Sequence, residues 1–424
     1  MGLSSLIITG GVPLSGEVKV QGSKNAALPL LAASLLIKGT TILEHCPDIS
    51  DVACMLDILK AVGCTVLREE ETIIIDAQVL KQTSVSKKEA EKMRSSISLL
   101  GALLGRASQA RIPLPGGCSI GKRPVDIHLA ALRSLGAEIE EKEELYARLK
   151  KCESKEIRFP YPSVGAVQNV ILASVVSDAV VVMKNCAREP EVEELCTFLN
   201  QAGANIQGGG TDTIIVYGVK ELREIRYTIR SDRIAAGTFL AMAAATKGSV
   251  TIQGINPFEL SAVTEVFAKI GCHVKLYTDA ICLEAYKGIR GIPFLKTMPY
   301  PGFPTDMQSQ VISTLICAKG NSVIRETVFE NRFGAAIELQ KIKADIRINK
   351  RDQLVVIHGR DKRCLCPAVL QAPDLRGGAA LVIAALIVEG TSTIKHMEYV
   401  ERGYENISGV IHALGGICCR ENEI

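Results

Sequence analysis

The chain has 424 residues, 47% of them apolar and 22% charged, with a formal net charge of +3. That length can bury more than one core and suggests two or three domains. The balanced charge, without long single-sign runs, argues against nucleic-acid binding through bulk electrostatics and leaves only local cationic pockets. The longest apolar stretch, Ala379 to Val388, is too short to span a bilayer, and the fourteen cysteines without a secretion signal suit a reducing, cytoplasmic setting.

Taken in order, six segments share one plan: a small-and-apolar helix, a turn, a short β-like run, an amphipathic helix and an ending such as Leu-Gly-Ala-x-Ile. Marking each copy by its closing turn gives Gly63, Gly136, Gly203, Gly271, Lys343 and Gly415, spaced by about seventy residues. The first helix of each copy is apolar nearly all round, which predicts burial on every side, whereas the second alternates charge with Leu or Val and predicts a surface cover. Runs such as Thr72–Asp76, Thr213–Tyr217 and Gln353–Ile357 read as strands between them. The expected fold class is α/β, with sheets outside central buried helices.

The second copy departs from the plan. Where the others have an ordinary strand-to-helix connection, it carries Pro113-Leu-Pro-Gly-Gly-Cys118-Ser-Ile-Gly-Lys122-Arg123-Pro-Val-Asp126. Glycines and prolines make a continuous helix or strand improbable there, so Cys118 is expected on a surface loop. Beside Lys122 and Arg123 its thiolate is favoured, which suits attack or proton donation. Equally, from the loop alone, Cys118 reads as one more small apolar residue beside a solvated basic pair. Cys364-x-Cys366 and Cys418-Cys419 lack the spacer that lets one loop close on zinc, so no metal is expected.

The buried helices begin with polar residues: Lys24-Asn25, Arg94, Ser163-Val164-Gly165, Asp232-Arg233, Asp306 and Asp374-Leu-Arg376. Capping is a fair explanation for Ser163, Asp232, Asp306 and Asp374. It fails for Lys24, Arg94, Arg233 and Arg376, because a cation opposes the macrodipole at a helix N-terminus. Something anionic is expected at these ends. Helices pointing the same way would aim their positive ends at one cleft, which suits a polyanionic ligand.

These residues fall in motifs, GSKNAALPLLAASLL, PLPGGCSIGKRPVDIH, SVGA, AREPE, FPTDMQ, FENRF, DLR and RGYE, by which the chain resembles the enolpyruvyl transferases over essentially its whole length. The branch of that family acting on shikimate 3-phosphate lacks the cysteine loop, so the resemblance is to the branch acting on UDP-N-acetylglucosamine. It implies a two-domain inside-out α/β barrel of six βαβαββ-type repeats, three per domain. Residues 1–21 plus 231–424 would form the first domain and residues 22–230 the second, with the Cys118 loop. The implied reaction moves the enolpyruvyl group of phosphoenolpyruvate to the 3′-hydroxyl of UDP-N-acetylglucosamine and releases phosphate. No cofactor, metal, nucleic acid or membrane is implied.

The resemblance also implies roles. Cys118 would give a proton to the methylene of phosphoenolpyruvate and form a covalent adduct with it, and Asp306 would be the general base. Lys24, Arg123 and Arg402 would clamp phosphoenolpyruvate, with Arg376 a further contact. Asn25, Arg94, Arg123, Pro124, Val125, Asp126, Ser163, Val164, Gly165, Asp306 and Val328 would hold the UDP-sugar, and the two domains would close over it. Tyr161, Ala235-Ala236 and Gly334-Ala335 stand where family members often carry Lys, Glu-Thr and Met-His. These departures leave a second reading, a paralogue that binds UDP-sugar as a regulator; the shikimate-branch transferase is a third.

Overall fold

The structure is a computed structural model that describes residues 4–87, 94–114 and 125–421, without the side chains of Arg94 and Ser95. Each copy contributes a buried helix and then a surface helix. In chain order the pairs are α1 (Lys24–Ala33) with α2 (Ser50–Val62), α3 (Ser98–Ala107) with α4 (Asp126–Ser134), and α5 (Val164–Ser174) with α6 (Pro190–Gln201). Then come α7 (Arg233–Thr246) with α8 (Ser261–Lys269), α9 (Gln308–Leu315) with α10 (Gly334–Leu339), and α11 (Leu375–Ile387) with α12 (Ile407–Ala413). Every residue of α7 and α9 is buried, as is α11 from Arg376 onward. Beyond their first turns α7 and α11 offer almost no polar surface to water, so burial all round is what they require; α9 departs from the apolar expectation, because it buries Gln308, Ser309, Gln310, Ser313 and Thr314 as well. By contrast α2 buries Val52, Met55, Leu56, Leu59 and Val62 and exposes Asp57 and Lys60, the stripe expected of a cover.

The six closing turns share one backbone state. Gly63, Gly136, Gly203, Gly271 and Gly415 have φ of 119°, 96°, 101°, 107° and 81°, and Lys343 joins them at 64°. A left-handed turn ends each surface helix and feeds the next hairpin. Lys343 adopts it at a cost of about 1 kcal/mol that glycine avoids, so the repeat is kept where its sequence marker is lost.

Contacts group the described residues of 22–230 into one compact unit and those of 4–21 with 231–421 into another. In five copies the strand after the buried helix is central, whereas in the second copy Gln109–Pro113 lies at the edge of a three-stranded sheet, among the described residues. Thr40–Glu44 pairs antiparallel with Thr72–Asp76, Val180–Lys184 with Thr213–Tyr217, and Asn321–Arg325 with Leu354–His358. The last of these starts one residue later than the sequence suggests, because Gln353 turns at φ 52°. In the first unit Ile225–Thr228 runs parallel to Thr40–Glu44, which joins the end of that segment to its beginning. In the second, Ser5–Gly10 lies between Gly390–Lys395 and Ile417–Arg420, and Ser15–Lys19 runs parallel to Ser249–Gln253.

Among the described residues no helix is long and apolar enough to cross a membrane, and no cluster of His, Cys, Asp or Glu is placed to hold a metal ion.

Candidate active site

In the unit of residues 22–230, Ser23 caps α1 by accepting the Ala26 N–H at 3.3 Å, and the first helical residue is Lys24. Its Nζ sits 2.7 Å from Asp51 Oδ2, with the two side chains only 10% and 4% exposed. The anion expected at this cationic helix end is therefore supplied, in this structure, by the first turn of α2. Asn25 is partly buried one position on. Breaking a buried pair by removing one partner leaves an uncompensated charge that costs about 3–5 kcal/mol. Lys24→Met is thus expected to lower unfolding stability by about 3 kcal/mol, and Lys24→Met with Asp51→Asn to recover at least half of it. Urea denaturation checks this, and an unchanged single variant would refute it.

Ser163 caps α5, its Oγ accepting the Ala166 N–H at 3.4 Å, while its own N–H donates to the Tyr161 carbonyl at 2.8 Å. Val164 and Gly165 begin the helix, where backbone N–H groups lack intrahelical acceptors. Val125 precedes α4 and Asp126, its first residue, is exposed. Arg94 opens the 3-10 turn Arg94–Ile97 before α3. The Arg94 side chain, Cys118, Arg123 and Pro124 lie outside the described residues.

In the unit of residues 4–21 and 231–421, the capping expectation is corrected for one residue. Asp232 and Asp374 do cap α7 and α11, with oxygens accepting Ile234, Ala235, Arg376 and Gly377 N–H groups at 2.8–3.0 Å. Asp306 caps nothing. It sits in the 3-10 turn Thr305–Met307 ahead of α9, and its carboxylate is turned to two buried arginines. Arg332 Nη2 donates to Oδ1 at 2.8 Å, and Arg376 Nη2 and Nε donate to Oδ2 at 3.0 and 3.3 Å. Geometry explains the change: the turn advances the helix start, so guanidinium donors reach the carboxylate where helix N–H groups would otherwise.

The arginine side chains are 2% and 5% exposed, against 26% for Asp306, so the carboxylate is the accessible member. Burial pulls the Arg376 guanidinium down, but Asp306, Tyr404 and Asp232 around it together outweigh that, so the net direction is upward and the group stays a cation. Among the described residues, Arg332 Nε and Nη1 and Arg376 Nη1 meet no acceptor in hydrogen-bond geometry although they are buried. Buried donors of this kind are expensive unless something else meets them.

Supports for this cluster converge from the same unit. Glu326, 1% exposed, accepts Thr297 Oγ1–H, Val328 N–H and Phe329 N–H on Oε1 at 2.9, 2.8 and 3.2 Å, and Thr305 Oγ1–H on Oε2 at 2.9 Å. One carboxylate thus ties the Asp306 turn to the Val328–Arg332 segment. Arg332 also lies over the Phe329 ring, 5.1 Å from its centroid. Arg402 ends the 3-10 turn Met397–Arg402, and Gln21 brackets the next residues, donating to the Gly403 carbonyl at 3.1 Å and accepting the Glu405 N–H at 2.9 Å. Tyr404 is buried against Thr238 at 2.8 Å, and burial pushes its phenol up, so it stays neutral.

Sequence reading missed Arg332 and Glu326 as site residues. A signal for Arg332 existed: an arginine between Phe329 and Phe333 is flanked for burial. Glu326 carries none, since an acid at the end of a strand ordinarily faces water. The departures at Ala235 and Ala236 lie fully buried inside α7. At Gly334 a side chain would start 2.9 Å from Pro373 Cβ, so the segment before Asp374 packs where a larger residue would stand.

Residues 8–411 match the family described as EPSP synthase (3-phosphoshikimate 1-carboxyvinyltransferase). The chain is 43% identical over 410 residues to UDP-N-acetylglucosamine 1-carboxyvinyltransferase 2 of Caldanaerobacter subterraneus subsp. tengcongensis, covering 96% of this chain and 97% of that one. It is 41% identical over 421 residues to UDP-N-acetylglucosamine 1-carboxyvinyltransferase of Clostridium botulinum, covering 99% and 100%. Among solved structures, the enolpyruvyl transferase NikO from Streptomyces tendae shares the fold, with a TM-score of 0.88 at 24% identity and 99% coverage of both chains.

Proposed function

The chain belongs to the EPSP synthase family, and from that premise we propose that it is a transferase moving the enolpyruvyl group of phosphoenolpyruvate to the 3′-hydroxyl of UDP-N-acetylglucosamine, with release of phosphate, as a step of peptidoglycan synthesis. The observation that carries the reading is Asp306 between Arg332 and Arg376. Its carboxylate is the accessible member of the cluster, 26% exposed against 2% and 5% for the arginines, which suits a base that meets an alcohol. The unused buried donors of the same arginines suit the carboxylate of the second substrate.

In this transfer the 3′-hydroxyl oxygen bonds to C2 of phosphoenolpyruvate while its proton passes to Asp306, and C3 takes a proton from Cys118. The product keeps a methylene at C3, so a C3 proton returns to the Cys118 thiolate as the C2–O bond to phosphate breaks. Each transfer needs a positioned acid or base and a site that excludes water. Arg332 and Arg376 hold the carboxylate; Lys24, Arg123 and Arg402 hold the phosphate. Asn25, Arg94, Arg123 to Asp126, Ser163 to Gly165 and Val328 hold the UDP-sugar, the diphosphate meeting the α5 N-terminus. We place the reaction in the cytoplasm, a reducing setting that suits a chain of fourteen cysteines.

Phosphate release tests the proposal. It is expected only with both substrates present, together with a phosphoenolpyruvate-derived mass added at Cys118. Folded protein that binds both substrates and releases no phosphate would overturn it and favour the non-catalytic reading.

A further inference from the structure

One side chain links three helices of the unit formed by residues 22–230. Asn169, on α5 and 0% exposed, accepts the Gly101 N–H of α3 on Oδ1 at 2.7 Å and donates from Nδ2 to the Gly165 carbonyl at 3.2 Å. Both backbone partners have fixed roles, so the amide has only one orientation. The same Nδ2 lies 2.9 Å from Nδ1 of His128 on α4. An amide nitrogen only donates. His128 Nδ1 is therefore the acceptor, and in the neutral ring the proton belongs to Nε2.

Packing makes the arrangement tight. A methyl group at Gly165 would start 2.7 Å from His128 Cε1 and 3.2 Å from Nε2, so the ring lies against the Gly165 backbone. At Gly101 it would start 2.3 Å from the Asn169 carbonyl oxygen. Burial pushes the His128 imidazole down to about 4, while the Asp126 carboxylate of its own helix acts the other way. The groups the ring meets from α5 are Asn169 and Gly165, neither of which titrates.

We propose that His128 is a positioning residue for the UDP-sugar diphosphate: as the neutral Nε2–H tautomer it fixes, through Asn169 and by ring contact, the Ser163–Gly165 backbone whose N–H groups meet the anion. This deepens the proposed function and rests on it. An imidazolium would set an Nδ1–H against the Asn169 N–H, turning an attraction into a repulsion beside Gly165. The neutral ring instead holds the turn without adding a charge.

Nitrogen-15 NMR of histidine-labelled protein at neutral pH is expected to show His128 with Nδ1 unprotonated and Nε2 protonated; the opposite tautomer or an imidazolium would overturn the proposal without any substitution. Calorimetric titration with UDP-N-acetylglucosamine is expected to show His128→Ala weakened by about tenfold or more, and His128→Asn, whose amide oxygen can accept near the Nδ1 position, within about threefold of the parent. The loss is expected in KM for the UDP-sugar more than in kcat. Full affinity in His128→Ala, or a His128→Asn variant as weak as it, would overturn the proposal while leaving the transferase reading intact. A parent protein that fails to bind UDP-N-acetylglucosamine would overturn both.

Discussion

Asp306→Asn is expected to lower kcat by about 10³-fold, within the range for removal of a general base, while UDP-N-acetylglucosamine still binds. Asparagine keeps the shape but turns an amide N–H towards arginine donors and cannot take the proton of the attacking hydroxyl. Arg332 and Arg376 lose their shared counter-charge, so a destabilisation of about 1–3 kcal/mol accompanies the change. The same loss has a second expected effect: with no internal carboxylate on the guanidinium groups, phosphoenolpyruvate binds at least as tightly as before. Single-turnover phosphate release and equilibrium binding separate the two. Unchanged turnover would remove Asp306 from the chemistry, and weaker phosphoenolpyruvate binding would show that Asp306 supports the arginines instead of competing with their ligand.

Arg332→Lys is the second large effect. The guanidinium is buried and pairs with Asp306 through Nη2, and among the described residues Nε and Nη1 meet no acceptor. Two charge-assisted hydrogen bonds to a substrate carboxylate, at about 1.5 kcal/mol each, correspond to about 10²-fold in KM for phosphoenolpyruvate. Lysine keeps the charge but loses the planar fork, so most of that loss is expected even in this conservative variant. KM for UDP-N-acetylglucosamine is expected to change by less than about threefold. Steady-state kinetics with each substrate varied in turn checks the assignment; a rise confined to the UDP-sugar would move Arg332 to the other substrate.

Much of this fold is written in short-range patterns. Helices such as α11 have no polar face, so burial follows from composition. The closing turns are mostly glycine, so the repeat can be counted along the sequence itself. Lys343 shows the limit: its left-handed turn is imposed by the copy around it, not by its own preference. The candidate site was less legible. Cations at helix starts were a valid sign of anions, but for Lys24 and Arg376 the anions present are Asp51 and Asp306, brought from α2 and from the turn before α9. Pairings across such distances in sequence leave no local mark. Glu326 was invisible for a related reason, since its four donors come from three separate segments.

The strand Ser5–Gly10 has a consequence for the order of folding. Leu6 lies opposite Ile394 on one side and Arg420 on the other, so this strand emerges early in synthesis and waits for partners made near residue 420. The segment 22–230 has no such delay, because its joining strand, Ile225–Thr228, pairs with Thr40–Glu44 within the same stretch. During synthesis that segment has all its partners while Ser5–Gly10 still presents unpaired edges, the kind of exposed strand that attracts misassembly. A nascent chain is therefore most vulnerable between these two closures.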